Sequence, residues 1–148
     1  MEIHQSAVIL LLVLCVSFST HAQPPDYIKP RYQKFLNQHF GPDMSEQDCT
    51  NAMRKKGITG ADGGCKDVNT FIKANSNHIK VVCGNGGKPQ GGNLFKSNQP
   101  FTVITCSLRS GLRPPRCEYG RGKKSLRYIV LGCEKGWPVH YDEGKLNL

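Results

Sequence analysis

Apolar positions recur along this chain in three different rhythms, and each predicts a different kind of segment. Ala7 to Phe18 is almost continuously apolar and uncharged, and Thr20-His21-Ala22 follows as a small-residue cleavage site. A run of roughly a dozen residues is short for a membrane span and has the length of a signal-peptide core. Residues 1–22 are therefore expected to be a signal peptide, and residues 23–148 a single secreted domain of 126 residues. That length supports one modest core.

From Pro30 to Phe40 the rhythm changes to three and four. Tyr32, Phe35, Leu36 and His39 share one helical face, Lys34 and Asn37 fall on the other, and Gly41-Pro42 ends the helix. A second helix follows the capping segment Ser45-Glu46-Gln47-Asp48, carries Cys49, Ala52 and Met53, and runs through Arg54-Lys55-Lys56 to Gly57. A short third helix falls between Ile72 and Cys83, with Ile79, Val82 and Cys83 inward and His78 on the surface. The glycine-rich stretch Gly84 to Gly92 has no apolar anchor and reads as a mobile surface loop.

The third rhythm is a period of two. It marks strands at Val68–Phe71, Phe101–Leu108, Ser125–Cys133 and Trp137–Tyr141. Helices early and strands late, without an internal repeat, give an α+β class.

Charge narrows the partners. The chain carries 20 Lys+Arg against 11 Asp+Glu, a net charge of +9, and loss of the leader with its single charge at Glu2 raises this to +10. Arg109, Arg113, Arg116, Arg121, Lys123 and Lys124 crowd one stretch that holds the single acid Glu118. A small domain this basic concentrates polyanions: RNA, DNA, heparan chains or anionic membranes. Arg54-Lys55-Lys56 complements the dipole at its helix end and also has the composition of a nuclear-targeting or polyanion-binding tripeptide.

Setting aside Cys15 of the leader, six cysteines remain: Cys49, Cys65, Cys83, Cys106, Cys117 and Cys133. In a secreted domain they imply three disulfides, for which spacing alone permits 15 pairings. The absence of CxxC argues against zinc ribbons and thioredoxin-like chemistry, and GxSxG and HExxH are absent too. Outside the leader the histidines are His39, His78 and His140. His39 and His140 lie near opposite ends of the domain in apolar surroundings. If the fold joins them, one neutral and one protonated imidazole form a general base and a general acid near neutral pH. Lys66, beside Cys65, would add positive charge where an oxyanion develops.

Lys34-Phe35-Leu36-Asn37-Gln38-His39, Cys65-Lys66-Asp67-Val68-Asn69-Thr70-Phe71 and Pro138-Val139-His140-Tyr141-Asp142 resemble, in order and spacing, the three signature segments of pancreatic-type ribonucleases, the RNase A superfamily. The resemblance spans essentially residues 23–148. It implies three short helices on a curved antiparallel β-sheet, held by Cys49–Cys106, Cys65–Cys117 and Cys83–Cys133. It also implies an endonuclease that cleaves single-stranded RNA or tRNA 3′ of pyrimidines through a 2′,3′-cyclic phosphate, with no metal and no cofactor. His39 would be the base, His140 the acid and Lys66 the charge stabiliser, helped by Gln38 and the Tyr141 backbone. Thr70 would read the pyrimidine, Asn69 brace the region, Phe71 wall the pocket, Asp142 orient His140, and Glu134 face the leaving-side purine. DNA lacks the 2′-hydroxyl and would not be cut.

Three disulfides instead of four, together with Asn93-Leu94, are similar to the angiogenin-like branch, fish members included. That branch implies angiogenic or bactericidal activity on a monomer, with uptake to the nucleus or nucleolus through Arg54, Lys55 and Lys56. Its partners would be a heparan-bearing or receptor-bearing cell surface, a bacterial membrane and the cytosolic ribonuclease inhibitor. Two departures stand out. Asp67 places a carboxylate beside Lys66, and Glu143 occupies the position that partly blocks the pyrimidine pocket in angiogenins, so turnover is expected to be weak. The alternative is a basic extracellular signalling or antimicrobial protein with a vestigial ribonuclease site.

Overall fold

The computed structural model describes residues 23–144, so the expected signal peptide lies outside the described residues. Helix α1 spans Lys29–His39, with Pro30 in its first turn, and buries Phe35 and His39. A 3₁₀ turn, Glu46–Asp48, leads into α2, Cys49–Lys55, which buries Cys49 and Met53. Ser45 bonds the Asp48 carboxylate rather than capping the helix backbone. Helix α3 spans Ser76–Lys80, where the Asn75 side chain accepts from the His78 N–H as a true N-cap. A second 3₁₀ turn, Val81–Cys83, completes the expected third helix.

The described residues also form eight strands: β1 Val68–Ile72, β2 Gly87–Gly91, β3 Leu94–Ser97, β4 Phe101–Ser110, β5 Glu118–Tyr119, β6 Lys123–Arg127, β7 Val130–Glu134 and β8 Trp137–Tyr141. They form two antiparallel four-stranded sheets. In one, β4 pairs with β1, β5 and β6; the other runs β2-β3-β7-β8. The expected single strand over 125–133 is in fact β6 and β7, and the chain changes sheets at Tyr128-Ile129.

Strand parity divides the core. Ile72 and Val103 pack with Phe35, Ile79, Leu131 and Tyr141, while their neighbours Phe71 and Ile104 pack on the opposite side with Met44, Cys49 and Met53. Successive side chains of a strand point to opposite faces, so β4 is buried on both. The bridges are Cys49–Cys106, Cys65–Cys117 and Cys83–Cys133, the pairing that the resemblance implies. Each closes a loop of 50 to 57 residues, where the chain-entropy model gives about 4 kcal/mol apiece.

The glycine-rich stretch is not a loop throughout. Residues 87–91 pair with 94–97 as a hairpin, with Lys88 opposite Lys96 and Pro89 opposite Phe95. Gly91 and Gly92 turn it with φ of +108° and +57°, a conformation costly for other residues. Its first strand is polar and exposed, which erased the period-two signal there, while β3 pairs with β7, packs Phe95 against the core and buries Ser97.

Candidate active site

Helix α1 ends where the site begins. His39 is only 4% exposed, packed beside Phe35 and stacked on Tyr141 at 5.2 Å between ring centroids. Its Nδ1 lies 2.8 Å from the Thr70 carbonyl oxygen. A carbonyl only accepts, so Nδ1 carries the hydrogen and Nε2 keeps its lone pair. Burial lowers the His39 pKa to about 3; the Thr70 bond opposes this, and the charges of Lys66 and His140 add to it. The ring is a neutral, oriented base.

Lys66 is held from both sides. Its backbone carbonyl accepts from the Tyr119 hydroxyl at 2.6 Å, and its neighbour Cys65 is bridged to Cys117. Its ammonium donates to Asn69 Oδ1 at 2.7 Å and lies 3.5 Å from Glu143 Oε2. Burial lowers the lysine's pKa, and Glu143 opposes that shift. Asn69 is fully buried, and its Nδ2 donates to the Gln38 carbonyl at 2.8 Å, so one amide ties Lys66 to the end of α1. Lys66, Gln38 and Lys34 line an open cleft of about 540 Å³.

Thr70 faces the site with its carbonyl on His39, its hydroxyl donating to Glu143 Oε1, and Thr105 Oγ1 at 3.4 Å. Burial pushes the Glu143 carboxyl upward, against the Thr70 bond and the nearby charges of Lys66 and Arg127. His140 stands exposed on β8, next to the Tyr141 that stacks on His39. It crosses β7 at Gly132, where a Cβ would sit 2.9 Å from the His140 Cβ.

One expectation needs correction, and three further residues have surroundings that the sequence left open. Phe71 does not wall the site: strand parity turns it away from Thr70 into the second core, fully buried. Asp67 is exposed, its charge acts on the Tyr119 phenol, and the carboxylate paired with Lys66 is Glu143. Among the described residues no hydrogen bond joins the side chains of Asp142 and His140, and the Asp142 backbone N–H is anchored on Val130 at 3.0 Å. Glu134 is ion-paired with Arg31 of α1. Of the basic tripeptide, Arg54 pairs with Glu118 at 2.5 Å, Lys56 lies over the Phe71 ring, and Lys55 is exposed.

Sequence reasoning missed Gly132, Thr105 and Arg31. A glycine inside an apolar strand between Leu131 and Cys133 was the readable sign for the first, since such glycines mark close approach. Thr105 and Arg31 carried no such sign.

A buried imidazole thus lies close enough to an oriented ammonium and to a second, exposed imidazole for the charges of both to lower its pKa. Two imidazoles and an ammonium grouped on an α+β frame can give and take protons near neutral pH. The pancreatic ribonuclease profile matches residues 30–142, and the chain belongs to that family. It is 51% identical to Ribonuclease-like 3 of Danio rerio over 97% of this chain and 98% of that protein, and 42% identical to Angiogenin-3 of Mus musculus over 90% and 92%. The X-ray structure of zebrafish RNase5 superposes with a TM-score of 0.79 at 60% identity, over 82% of this chain and 100% of that one.

Proposed function

We propose that this ribonuclease is secreted and cleaves single-stranded RNA or tRNA 3′ of pyrimidines by metal-free transphosphorylation. His39 Nε2 takes the proton of the ribose 2′-hydroxyl, whose oxygen attacks the adjacent phosphorus. The P–O5′ bond breaks, His140 protonates the departing 5′-oxygen, and a 2′,3′-cyclic phosphate remains. Lys66, with Gln38 beside it, balances the negative charge growing on the nonbridging oxygens. Each proton transfer contributes about 10²- to 10⁴-fold. The observation that carries this reading is the Nδ1 contact of His39 with Thr70, at 2.8 Å, which leaves Nε2 as the acceptor.

The test is cleavage of tRNA and of defined dinucleotides by the purified mature protein and by His140→Ala. Activity should vanish in the variant while the fold and heparin binding persist; undiminished cleavage would sink the mechanism.

A second reading, a basic signalling or bactericidal protein, draws support from the charge of the surface. Arg109, Arg113, Arg116, Lys123 and Lys124 are exposed, and Leu112 is 89% exposed. Bacterial killing that survives the double variant His39→Ala, His140→Ala would assign that activity to this surface rather than to catalysis. Lys55 is the member of the tripeptide best placed for nuclear uptake.

A further inference from the structure

The two edges of the first sheet differ in what covers them. On β1 the outward carbonyls are taken: that of Thr70 lies 2.8 Å from His39 Nδ1, and that of Ile72 accepts from the Gly41 N–H at 3.0 Å. The opposite edge is β6, which pairs with β4 and with no other strand among the described residues.

Register fixes which groups of β6 point outward. In an antiparallel pair a residue's N–H and C=O point to one side, and successive residues alternate. The Lys73 N–H donates to the Thr102 carbonyl and the Leu108 N–H to that of Asp67, so Thr102, Ile104, Cys106 and Leu108 face β1. Phe101, Val103 and Thr105 therefore face β6, where their partners are Arg127, Ser125 and Lys123. The N–H and C=O groups of Lys124 and Leu126 are left on the outer edge, and no backbone hydrogen bond reaches them among the described residues. Gly122, of the same parity, agrees: its N–H donates outward, to the Glu46 carbonyl at 2.7 Å.

The side chains along this edge are cationic with one apolar member. Lys123, Lys124 and Leu126 are exposed, Leu126 at 69%, and Arg127 is half-buried. Lysines on an edge strand keep copies of one protein from pairing. A second copy laid on antiparallel, so as to use both free residues, would set Lys123 against Arg127, and like charges directly opposite are destabilising. The same charges favour an acidic strand.

We propose that β6 is a docking edge for an extended acidic peptide segment of another protein, added antiparallel as a further strand of the first sheet. Main-chain bonds to Lys124 and Leu126 hold the segment, and alternate side chains select it. An acid faces Lys124, an apolar residue faces Leu126, and acids at the flanking positions face Lys123 and Arg127. The edge lies across β4 from the Thr70–His39 contact, and the inference is independent of the ribonuclease reading.

The probe is acetyl-Ser-Glu-Val-Thr-Glu-Glu-Ser-amide, whose valine lies opposite Leu126 and whose glutamate next to threonine lies opposite Lys124. Titrated calorimetrically into the mature protein, it should bind with a dissociation constant on the order of 100 µM, weakening as salt is raised. N-methylation of the valine or of that glutamate removes an amide facing β6 and should weaken binding by about tenfold. N-methylation of the threonine, whose amide faces away, should leave binding within about twofold. Hydrogen exchange reads the protein side: the Lys124 and Leu126 amides should exchange rapidly alone and slowly with peptide, while those of Ser125 and Arg127 are slow in both. Leu126→Pro removes one outward N–H that β4 does not use, so binding should be lost with the circular dichroism spectrum unchanged. Absence of binding at low salt would overturn the proposal. So would equal effects at all three methylation sites, which mean attraction by charge alone, as for a nucleic acid. Dimerisation of the protein that protects the same two amides would assign the edge to a second copy and overturn it too.

Discussion

Replacing Asn69 with alanine tests whether the site is a braced unit or a set of independent side chains. The Asn69 side chain is fully buried; it donates to the Gln38 carbonyl at 2.8 Å and accepts from Lys66 at 2.7 Å. The first bond is neutral and contributes about 1 kcal/mol, and its loss strands a carbonyl at the end of α1. The second is charge-assisted and contributes about 1.5–3 kcal/mol when buried. The Lys66 side chain is 24% exposed, so water recovers part of that and the lower figure applies. The sum is about 2–3 kcal/mol, or roughly 6–15 °C in Tm for a domain of this size. Catalysis should suffer separately: without the amide, the ammonium leans on the Glu143 carboxylate, and a displacement of about 1 Å can cost on the order of 100-fold in kcat. Differential scanning calorimetry and single-turnover cleavage of a dinucleotide measure the two effects. Unfolding within about 0.5 kcal/mol of the native protein, or an unchanged kcat, would refute the brace.

Two further outcomes are expected. The folded-state pKa of His39 is lowered to about 3 from an unfolded value near 6.5, so its contribution is fully present above pH 6.5 and declines as pH falls toward 3. Stability should fall by up to about 1.4 kcal/mol per pH unit in that window, and urea unfolding of His39→Gln should lack this component; parallel pH profiles would count against it. Gly132→Ala should lower both kcat, by about tenfold or more, and Tm, because the new Cβ would lie 2.9 Å from the His140 Cβ, which is fixed to its backbone, so β8 itself must shift and carry the imidazole with it. Unaltered turnover in a folded Gly132→Ala protein would show that His140 does not need that gap.

Much of the frame was legible because local rules and tertiary packing agree. The spacing of Tyr32, Phe35, Leu36 and His39 put His39 on the buried face of α1, and the alternation in β4 and β8 marked both as strands. The disulfide pairing was legible only through the family resemblance, since spacing leaves it open. The β2–β3 hairpin was hidden because β2 is polar and exposed on both sides, so burial wrote no pattern there.

Phe71 was given to the pocket through the family resemblance, and its actual place follows from parity: it adjoins Thr70 on β1, and neighbours on a strand point to opposite faces. Thr70 meets Thr105, its cross-strand partner on β4, and Phe71 meets Ile104 on the other face. Lys66 meets Asn69 three residues on and Glu143 from just beyond β8. The carboxylate that matters to Lys66 therefore lies 77 positions away, and the same carboxylate holds the hydroxyl of Thr70. One acidic side chain from beyond β8 thus couples Lys66 to the hydroxyl of β1's Thr70, a link that no local pattern in the sequence could show.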